Sequence, residues 1–394
     1  MNEKILKKNK IEELLSRGVE EIIDKTNLEK KLKDGKQLRI KLGIDPTSPN
    51  IHLGRSIPLL KLKDFQELGH QIVLIIGDFT GLIGDTSDKD SERPMLSEEA
   101  VKKNLKTYIE QAAKIIDIDK AEICYNSKWL EKLKYMDIGR QADAFSLNEF
   151  ISRENISRRL EAGKRVSLRE LLYPLMQGYD SVEVRADVEI GGTDQRFNLL
   201  AGRDLQRLYA QEVQDIITNP LIEGLDGRKM SSSLGNTINL FDMPNDMFGK
   251  IMSLHDNFII KYFILLTRVE MNIINGYIAD IKEGINPRDL KMKLAFEIVR
   301  IYHSEKEAEE ANDYFIKTFS KKEIPKDLLK FKPDDYRILS VLVLAKLVSS
   351  KTDAKRIIDQ GGVKIDGIVV NDINCVVMPG SVLQKGKINF IEIL

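Results

Sequence analysis

The chain has 394 residues, 42% of them hydrophobic, which allows a substantial core and exceeds the size of one typical domain. Its 61 basic and 61 acidic residues cancel, which excludes binding of nucleic acid through bulk charge and leaves only a local patch for that purpose. The two cysteines are far apart in the sequence, which argues against a disulfide framework and a zinc site. The sequence shows neither an apolar signal core nor a membrane-spanning stretch, so we expect a cytoplasmic protein.

The first predicted element is a packing helix over residues 3–24, where apolar residues recur at helical spacing. From 38 to 217, helical stretches alternate with short β-rich runs, which lie at 38–44, 71–77, 121–125 and 214–218. This alternation predicts an α/β fold with a Rossmann-like doubly wound parallel sheet and helices on both faces. Such sheets bind ligands in the loops at the carboxyl ends of their strands.

The second half of the chain has a different pattern. A Gly/Ser-rich basic loop, a helical region and a charged linker with prolines precede a final segment of helix–helix–hairpin character, in which glycines supply the turns. We therefore predict a catalytic nucleotide-binding domain, a mobile loop, an α-helical domain, a linker and a small α+β domain, at 1–223, 224–240, 241–325, 326–335 and 336–394.

The segment from Asp45 to Arg55 follows a predicted strand and opens a helix. Two prolines stiffen its turn, Gly54 lets a ligand approach the backbone, and the helix N-terminus offers N–H groups to an anion. His52 and Arg55 are three positions apart and share a helix face. Such a segment can hold a triphosphate, although alone it fits an ordinary strand–turn–helix connection with a surface histidine better.

A second segment, residues 229–233, reads Lys-Met-Ser-Ser-Ser and lies in the predicted loop. A flexible lysine with neighbouring hydroxyls can close on phosphates, but a solvated charged loop is the commoner meaning of such a segment. Taken together, in this order and on this architecture, the two segments resemble the HIGH and KMSKS signatures of the class I aminoacyl-tRNA synthetases.

Polar residues on one helix face narrow the choice of amino acid. Tyr173, Gln177 and Asp180 stand at i, i+4 and i+7, where a core helix would show apolar side chains. Residues 189–195 place glycines ahead of Asp194 at a strand-to-helix turn. A solvent-facing polar stripe and a plain helix cap would explain each alone. Both segments resemble the bacterial tyrosyl-tRNA synthetases written with LYPLMQGYD and GGTDQ, and the resemblance covers essentially the whole chain.

That resemblance implies a reaction and a role for each site residue. The family activates L-tyrosine with ATP, accompanied by Mg²⁺, and transfers the tyrosyl group to tRNA(Tyr), with no tightly bound metal or organic cofactor; it forms homodimers. Asp180 would accept a hydrogen bond from the substrate phenol. The other implied positions are Tyr173, Gln177 and Asp85 at the α-amino group, Gln195 at the carboxyl group, Gly192 and Asp194 at the ribose, Asp45 and Thr47 at the nucleotide, Lys89 and Arg93 at pyrophosphate, and the signature residues His52, Gly54, Arg55, Lys229, Ser231 and Ser232 at ATP.

Several positions depart from the family pattern. Arg55 replaces the usual final histidine of the first signature, and Ser232 replaces a lysine of the second. The loop after Asp85 reads Thr-Ser-Asp at 86–88 where Pro-Ser-Gly is usual, and Lys41 stands where many relatives place a tyrosine at the phenol. Arginine is longer and forked, so it is not a simple replacement for histidine. We expect an active enzyme with slower adenylate formation than its relatives.

The C-terminal segment carries a candidate RNA-binding patch. Ser350 is a plausible N-cap for a helix that bears Lys351, Lys355 and Arg356 on one side. A solvated basic helix would explain these charges equally well. The order of elements resembles the small RNA-binding module shared by a ribosomal small-subunit protein and bacterial tyrosyl-tRNA synthetases, which implies contact with RNA phosphates and shape. By the same analogy, the helical region would help at the anticodon stem.

Other functions stay open at this point. Arg55 and Ser232 are compatible with an impaired paralogue that acts as an RNA-binding protein. Tryptophan specificity is a second alternative, because an indole N–H can also donate to Asp180. A nucleotidyltransferase with the same phosphate-binding signature is remote. For the homodimer, an apolar helix near 127–150 is a candidate contact.

Overall fold

A computed structural model describes residues 3–85, 96–320, 328–348, 350–386 and 389–394 of the chain. The chain divides into two compact units, Met1–Glu305 and Lys306–Leu394. The five segments predicted from the sequence are finer than this division, and their boundaries stay predictions. In the part of the chain described, no helix has the length and apolar character that a membrane crossing needs.

The first unit is built on a six-stranded sheet with the order β1-β6-β5-β2-β3-β4. Its strands are β1 Glu21–Ile23, β2 Arg39–Ile44, β3 Gln71–Ile76, β4 Ala121–Tyr125, β5 Val188–Gly192 and β6 Asp215–Asn219. The four predicted strands are confirmed as β2, β3, β4 and β6, and every pairing among β2 to β6 is parallel. Residues 72–76 of β3 are all buried, as in a strand covered on both faces.

Helices surround this sheet and continue after it. The helices of the sheet region are α1 Glu3–Leu14, α2 Lys25–Lys33, α3 Leu53–Glu67, α4 Thr80–Ile83, α5 Glu98–Ala113, α6 Ser127–Leu130, α7 Tyr135–Ala142, α8 Leu147–Ile151, α9 Glu154–Glu161, α10 Leu168–Glu183 and α11 Arg196–Leu208. The predicted helical region then contains α12 Pro244–Met252, α13 Ile259–Leu266, α14 Met271–Lys282, α15 Pro287–Tyr302 and α16 Glu305–Phe315.

Two predictions in this unit are wrong in part. The helix predicted over 3–24 ends at Leu14, and its last residues form β1, which pairs antiparallel with β6. Gly18 has φ +62°, which breaks the helical run, and the β-branched residues after it suit a sheet edge. The apolar helix proposed near 127–150 is instead three short helices, α6, α7 and α8.

The strand order creates a crevice at one end of the sheet. From β2 the chain proceeds to β3 and β4 on one side, whereas β5 and β6 lie on the other. The loops that leave β2 and β5 therefore diverge at their carboxyl ends, which is where doubly wound sheets bind ligands.

The second unit contains α16 from Lys306 onward, α17 Ile338–Leu344, α18 Lys351–Asp359 and a five-stranded sheet. Its strands are β7 Leu329–Phe331, β8 Val363–Ile365, β9 Ile368–Val369, β10 Val382–Lys385 and β11 Asn389–Ile393, in the order β7-β11-β10-β8-β9. The predicted hairpin is confirmed at β8 and β9, where Asp366 and Gly367 both have positive φ. The predicted linker at 326–335 contains β7, because these residues pair with β11 as a parallel edge strand.

Candidate active site

A cavity of about 740 Å³ opens at the carboxyl ends of the parallel strands. It brings together predicted site residues that are far apart in the sequence. Those that line it are Asp45, Thr47, His52, Gly54, Arg55, Asp85, Tyr173, Gln177, Asp180, Gly192, Asp194, Gln195, Lys229, Ser231 and Ser232. Lys89 and Arg93, with the unusual residues 86–88, fall outside the described residues.

Backbone pairing joins the two signature segments. His52 forms an antiparallel bridge with Asn239, which follows the second signature. The Leu53 N–H donates to the Ile238 carbonyl at 2.9 Å, and the Leu240 N–H donates to the Ile51 carbonyl at the same distance. The start of α3 and the end of the basic loop are therefore held together by main-chain hydrogen bonds.

At the start of α3, a glycine makes room for the histidine. A Cβ on Gly54 would lie 3.1 Å from the His52 ring, so a larger residue would displace that ring. Arg55 donates to Thr47 Oγ1 at 2.9 Å and to the Tyr108 hydroxyl at the same distance. The guanidinium thus fixes the threonine of the first signature while it lines the cavity.

The second signature lines the same cavity as the first. Lys229 Nζ lies 2.9 Å from Asp194 Oδ2, and both side chains are partly exposed. Ser232 Oγ donates to Ser48 Oγ at 3.4 Å, across the cavity mouth. Buried Asn236 organises the loop, since its Oδ1 accepts from the Ser231 N–H at 2.9 Å and its Nδ2 donates to the Lys229 carbonyl at 3.1 Å. The loop therefore has a defined shape although its serines reach solvent.

Asp180 lies at the buried end of the cavity. Its side chain is 3% exposed and accepts hydrogen bonds from Trp129 Nε1 at 2.8 Å and from Asn126 Nδ2 at 3.3 Å. Burial raises the pKa of the Asp180 carboxyl to about 7, although the charge of Lys41 and the two donors oppose the rise. The two donors orient a carboxylate that still has acceptor positions for a ligand.

Two further carboxylates lie between this floor and the mouth. Asp45 accepts from the Tyr173 hydroxyl at 2.8 Å and from Thr80 Oγ1 at 2.7 Å. Burial raises the pKa of Asp45 to about 6, although the two hydrogen bonds oppose this rise. The pKa of Tyr173 is raised well above its usual value, first by burial and then by the nearby charge of Asp45. Asp85 accepts from Gln195 Nε2 at 2.7 Å. The middle of the cavity is thus negative, which suits a cationic group.

The sequence interpretation missed several residues of this site. Thr80, Asn126 and Trp129 hold the carboxylates, and Asn236 holds the loop. Asn126 directly follows β4, so the rule that ligands bind at strand ends could have identified it. Trp129 is the only tryptophan of the chain, but no sequence spacing links it to Asp180. Within the described residues, no group of three or more His, Cys, Asp or Glu could hold a metal ion.

The three basic residues predicted to bind RNA lie on α18 of the second unit. The Ser350 hydroxyl accepts from the Asp353 N–H at 3.2 Å, which confirms the predicted N-cap. Lys351, Lys355 and Arg356 are exposed, and Arg356 pairs with Asp353 on the same helix.

Comparisons with known proteins cover both units. A family model described as tRNA synthetases class I (W and Y) matches residues 33–320, and one described as S4 domain matches residues 337–383. Proteins named tyrosine–tRNA ligase from Carboxydothermus hydrogenoformans and Thermotoga maritima are 46% and 45% identical to this chain. The first alignment covers 97% of each chain and the second covers 96% of each.

Solved structures share the fold. A C-terminally truncated mitochondrial tyrosyl-tRNA synthetase from Aspergillus nidulans has a TM-score of 0.67 at 20% identity and covers 79% of this chain and 94% of its own. A tyrosyl-tRNA synthetase complexed with L-tyrosine from Archaeoglobus fulgidus has a TM-score of 0.61 at 23% identity and covers 77% of this chain and 99% of its own. At such identities the likeness bears on the fold alone.

Proposed function

The chain belongs to the tyrosyl-tRNA synthetases of class I, and from that membership we propose how its residues activate tyrosine and charge tRNA(Tyr). Its substrates are L-tyrosine, ATP and tRNA, and it is an aminoacyl-tRNA ligase. The alternative of an impaired RNA-binding paralogue receives no support from these relatives.

The buried Asp180 carboxylate is the observation that carries the choice of tyrosine. A phenol that enters the cavity can donate its hydroxyl hydrogen to Asp180, which Trp129 and Asn126 already orient. Phenylalanine would leave this buried group without its ligand partner, and such mismatches cost a site much of its affinity. The negative middle of the cavity, with Tyr173, Gln177 and Asp85, would hold the α-ammonium group.

The other end of the cavity would bind ATP. Thr47, His52 and Gly54 line this end of the cavity, and His52 with Gly54 lies at the N-terminus of α3, whose partial positive charge favours phosphate. Lys229, which lies beside Asp194 in the present arrangement, and the hydroxyls of Ser231 and Ser232 would also meet the phosphates. Three more sets follow from the family resemblance: Asp45 at the nucleotide with Gly192 and Asp194 at its ribose, Gln195 at the substrate carboxyl group, and Lys89 with Arg93 at pyrophosphate.

Catalysis in this arrangement is positioning plus charge stabilisation. A carboxylate oxygen of tyrosine attacks the α-phosphorus of ATP, the bond to the bridging oxygen breaks, and pyrophosphate leaves with its electron pair. Arg55 and Lys229 are the cations beside the phosphates and would stabilise the developing charge. A ribose hydroxyl of the tRNA terminal adenosine then attacks the tyrosyl carbonyl, and AMP leaves.

The proposal also covers the metal ion, the RNA contacts, the oligomeric state and the cellular location of the enzyme. Mg²⁺ would enter bound to ATP, since polyphosphate oxygens are the ligands it prefers. The S4 domain binds RNA, and exposed Lys351, Lys355 and Arg356 are its proposed phosphate contacts. A homodimer is supported by the apolar side chains of Tyr135 and Met136, which are 94% and 70% exposed on α7. The reaction consumes tRNA and ATP, which are cytoplasmic in bacteria, and we place the enzyme there.

Tyrosine-dependent exchange of pyrophosphate into ATP tests the proposal. We expect exchange with tyrosine, competition by tryptophan only at far higher concentration, and charging of tRNA(Tyr) by the same protein. D180N should lose tyrosine-dependent exchange, whereas the K351A/K355A/R356A variant should retain exchange and charge tRNA poorly. Absence of exchange at any enzyme concentration would refute the proposed activity, and equal use of tryptophan would refute the role of Asp180.

A further inference from the structure

A buried polar cluster lies directly behind the amino-acid end of the cavity. Lys41 on β2 and Glu189 on β5 are register partners in adjacent strands, and their side chains are 0% and 1% exposed. The Lys41 ammonium lies 2.8 Å from Glu189 Oε1 and donates to the Gln177 carbonyl at 2.9 Å and to Ser181 Oγ at 2.7 Å. An ammonium has three N–H donors, and these contacts use all of them. All hydrogen bonds of the Lys41 ammonium therefore lie within the cluster, and no N–H donor is left for a substrate.

Glu189 in turn holds the side chain of Gln177. Gln177 Nε2 donates to Glu189 Oε1 at 3.3 Å, and Ser181 Oγ donates to Glu189 Oε2 at 3.0 Å. An ionised carboxylate only accepts hydrogen bonds, so the amide must turn its nitrogen toward Glu189. The oxygen of the amide is then the end that remains for a molecule in the cavity, which Gln177 lines.

We infer that Glu189, with Lys41 as its counter-charge, is a positioning residue that makes Gln177 a hydrogen-bond acceptor toward the α-ammonium of the substrate. The inference rests on the proposed function, in which Gln177 meets the amino group of tyrosine. An amide that turned over would point N–H groups at a cation, and that mismatch would weaken binding. The pair thus sets a preference for amino acids over analogues without the ammonium, although neither residue touches the substrate.

The test compares L-tyrosine with 3-(4-hydroxyphenyl)propionate, which lacks the ammonium group. E189Q removes the partner that can only accept, so the Gln177 amide adopts either orientation. We expect the Kd of tyrosine, measured by calorimetry on the full chain, to rise about 10- to 100-fold, the range for a hydrogen bond to a charged group. The Kd of the analogue should stay within about twofold, because its binding does not use the acceptor oxygen.

An exchange of the two side chains gives the sharper result. Q177E/E189Q reverses the hydrogen bond and keeps an acceptor oxygen toward the cavity, so we expect most of the tyrosine affinity to return. S181A is the matched control, since it removes another contact of Glu189 without touching the Gln177 amide, and the ratio of the two Kd values should not change. K41M/E189Q removes both charges and should show the same loss of discrimination as E189Q, which keeps the test available should E189Q alone fail to fold.

Two results would overturn the inference. One is that E189Q, or K41M/E189Q in its place, weakens both ligands equally; the other is that Q177E/E189Q binds tyrosine no better than E189Q. A wild-type protein without tyrosine-dependent exchange would instead refute the proposed function, so the two failures are told apart by the unsubstituted chain.

Discussion

The ionisation of Asp180 should control tyrosine binding near neutral pH, and the only tryptophan of the chain should report it. Burial raises the pKa of Asp180 from its usual 3.8 to about 7, and Trp129 Nε1 donates to this carboxylate at 2.8 Å. The experiment titrates the ligand-free protein with pH and monitors the tryptophan fluorescence emission. We expect one transition centred near pH 7 that is absent from D180N. D45N should retain it, although the pKa of Asp45 is itself raised to about 6.

The size of the effect on binding follows from the fraction of ionised carboxylate. With a pKa of about 7, roughly a tenth of Asp180 is ionised at pH 6 and about nine tenths at pH 8. If the ionised form is the better acceptor for the phenol, the apparent Kd of tyrosine should fall about tenfold from pH 6 to pH 8. Calorimetric titrations at the two pH values measure this ratio, and bound tyrosine should move the tryptophan transition to lower pH.

The pH dependence of folding stability provides an independent measure of the raised pKa of Asp180. Because the folded-state pKa of Asp180 lies above the unfolded value, the folded chain binds more protons between these values and loses stability as pH rises through them. The loss grows from about pH 4 and reaches about 4 kcal/mol above pH 7. D180N lacks this term, so its advantage over the wild type in urea denaturation should increase from pH 5 to pH 8. The same pH dependence of tryptophan emission in D180N as in the wild type would refute the assignment of the transition to Asp180. A tyrosine Kd that does not change between pH 6 and pH 8 would refute the role of its ionisation in binding.

Three more predictions concern the phosphate end, the loop and the RNA-binding helix. R55H should raise the rate of pyrophosphate exchange severalfold if arginine at this position slows adenylate formation; abolished exchange would contradict that idea. N236A should lower the maximal exchange rate about tenfold, since Asn236 shapes the loop through a buried hydrogen bond. Its tyrosine Kd should not change, and an equal loss of tyrosine binding would assign Asn236 to general folding instead. Neutralising Lys351, Lys355 and Arg356 should weaken tRNA binding and flatten its salt dependence, measured by filter binding at several salt concentrations; an unchanged salt slope would exclude this helix from the phosphate contacts.

Local residue patterns allowed a large part of the fold and site to be predicted. The strands at 38–44 and 71–77 are confirmed, and the near-continuous Ile/Val/Leu run at 72–76 is typical of a strand buried on both faces. Tyr173, Gln177 and Asp180 line one cavity because helical periodicity places i, i+4 and i+7 on one face. The position of the cavity also follows from the sequence, since parallel strands end at one edge.

Other features depended on contacts between distant segments. Residues 21–23 have helical spacing with α1, yet they form a strand because an edge of the sheet is available beside β6. The partners Trp129 and Asp180, or Lys41 and Glu189, are separated by long stretches of chain, and no local period relates them.

The sequence by itself determined the alternation of strands and helices in the first unit, the helical region that follows it, and the types of residue at the cavity. Only the tertiary structure decided which side chains orient Asp180 and Gln177 and how His52 meets the loop beyond Lys229. The physical reason is that periodicity encodes which face a residue occupies, whereas strand order and register decide which faces meet.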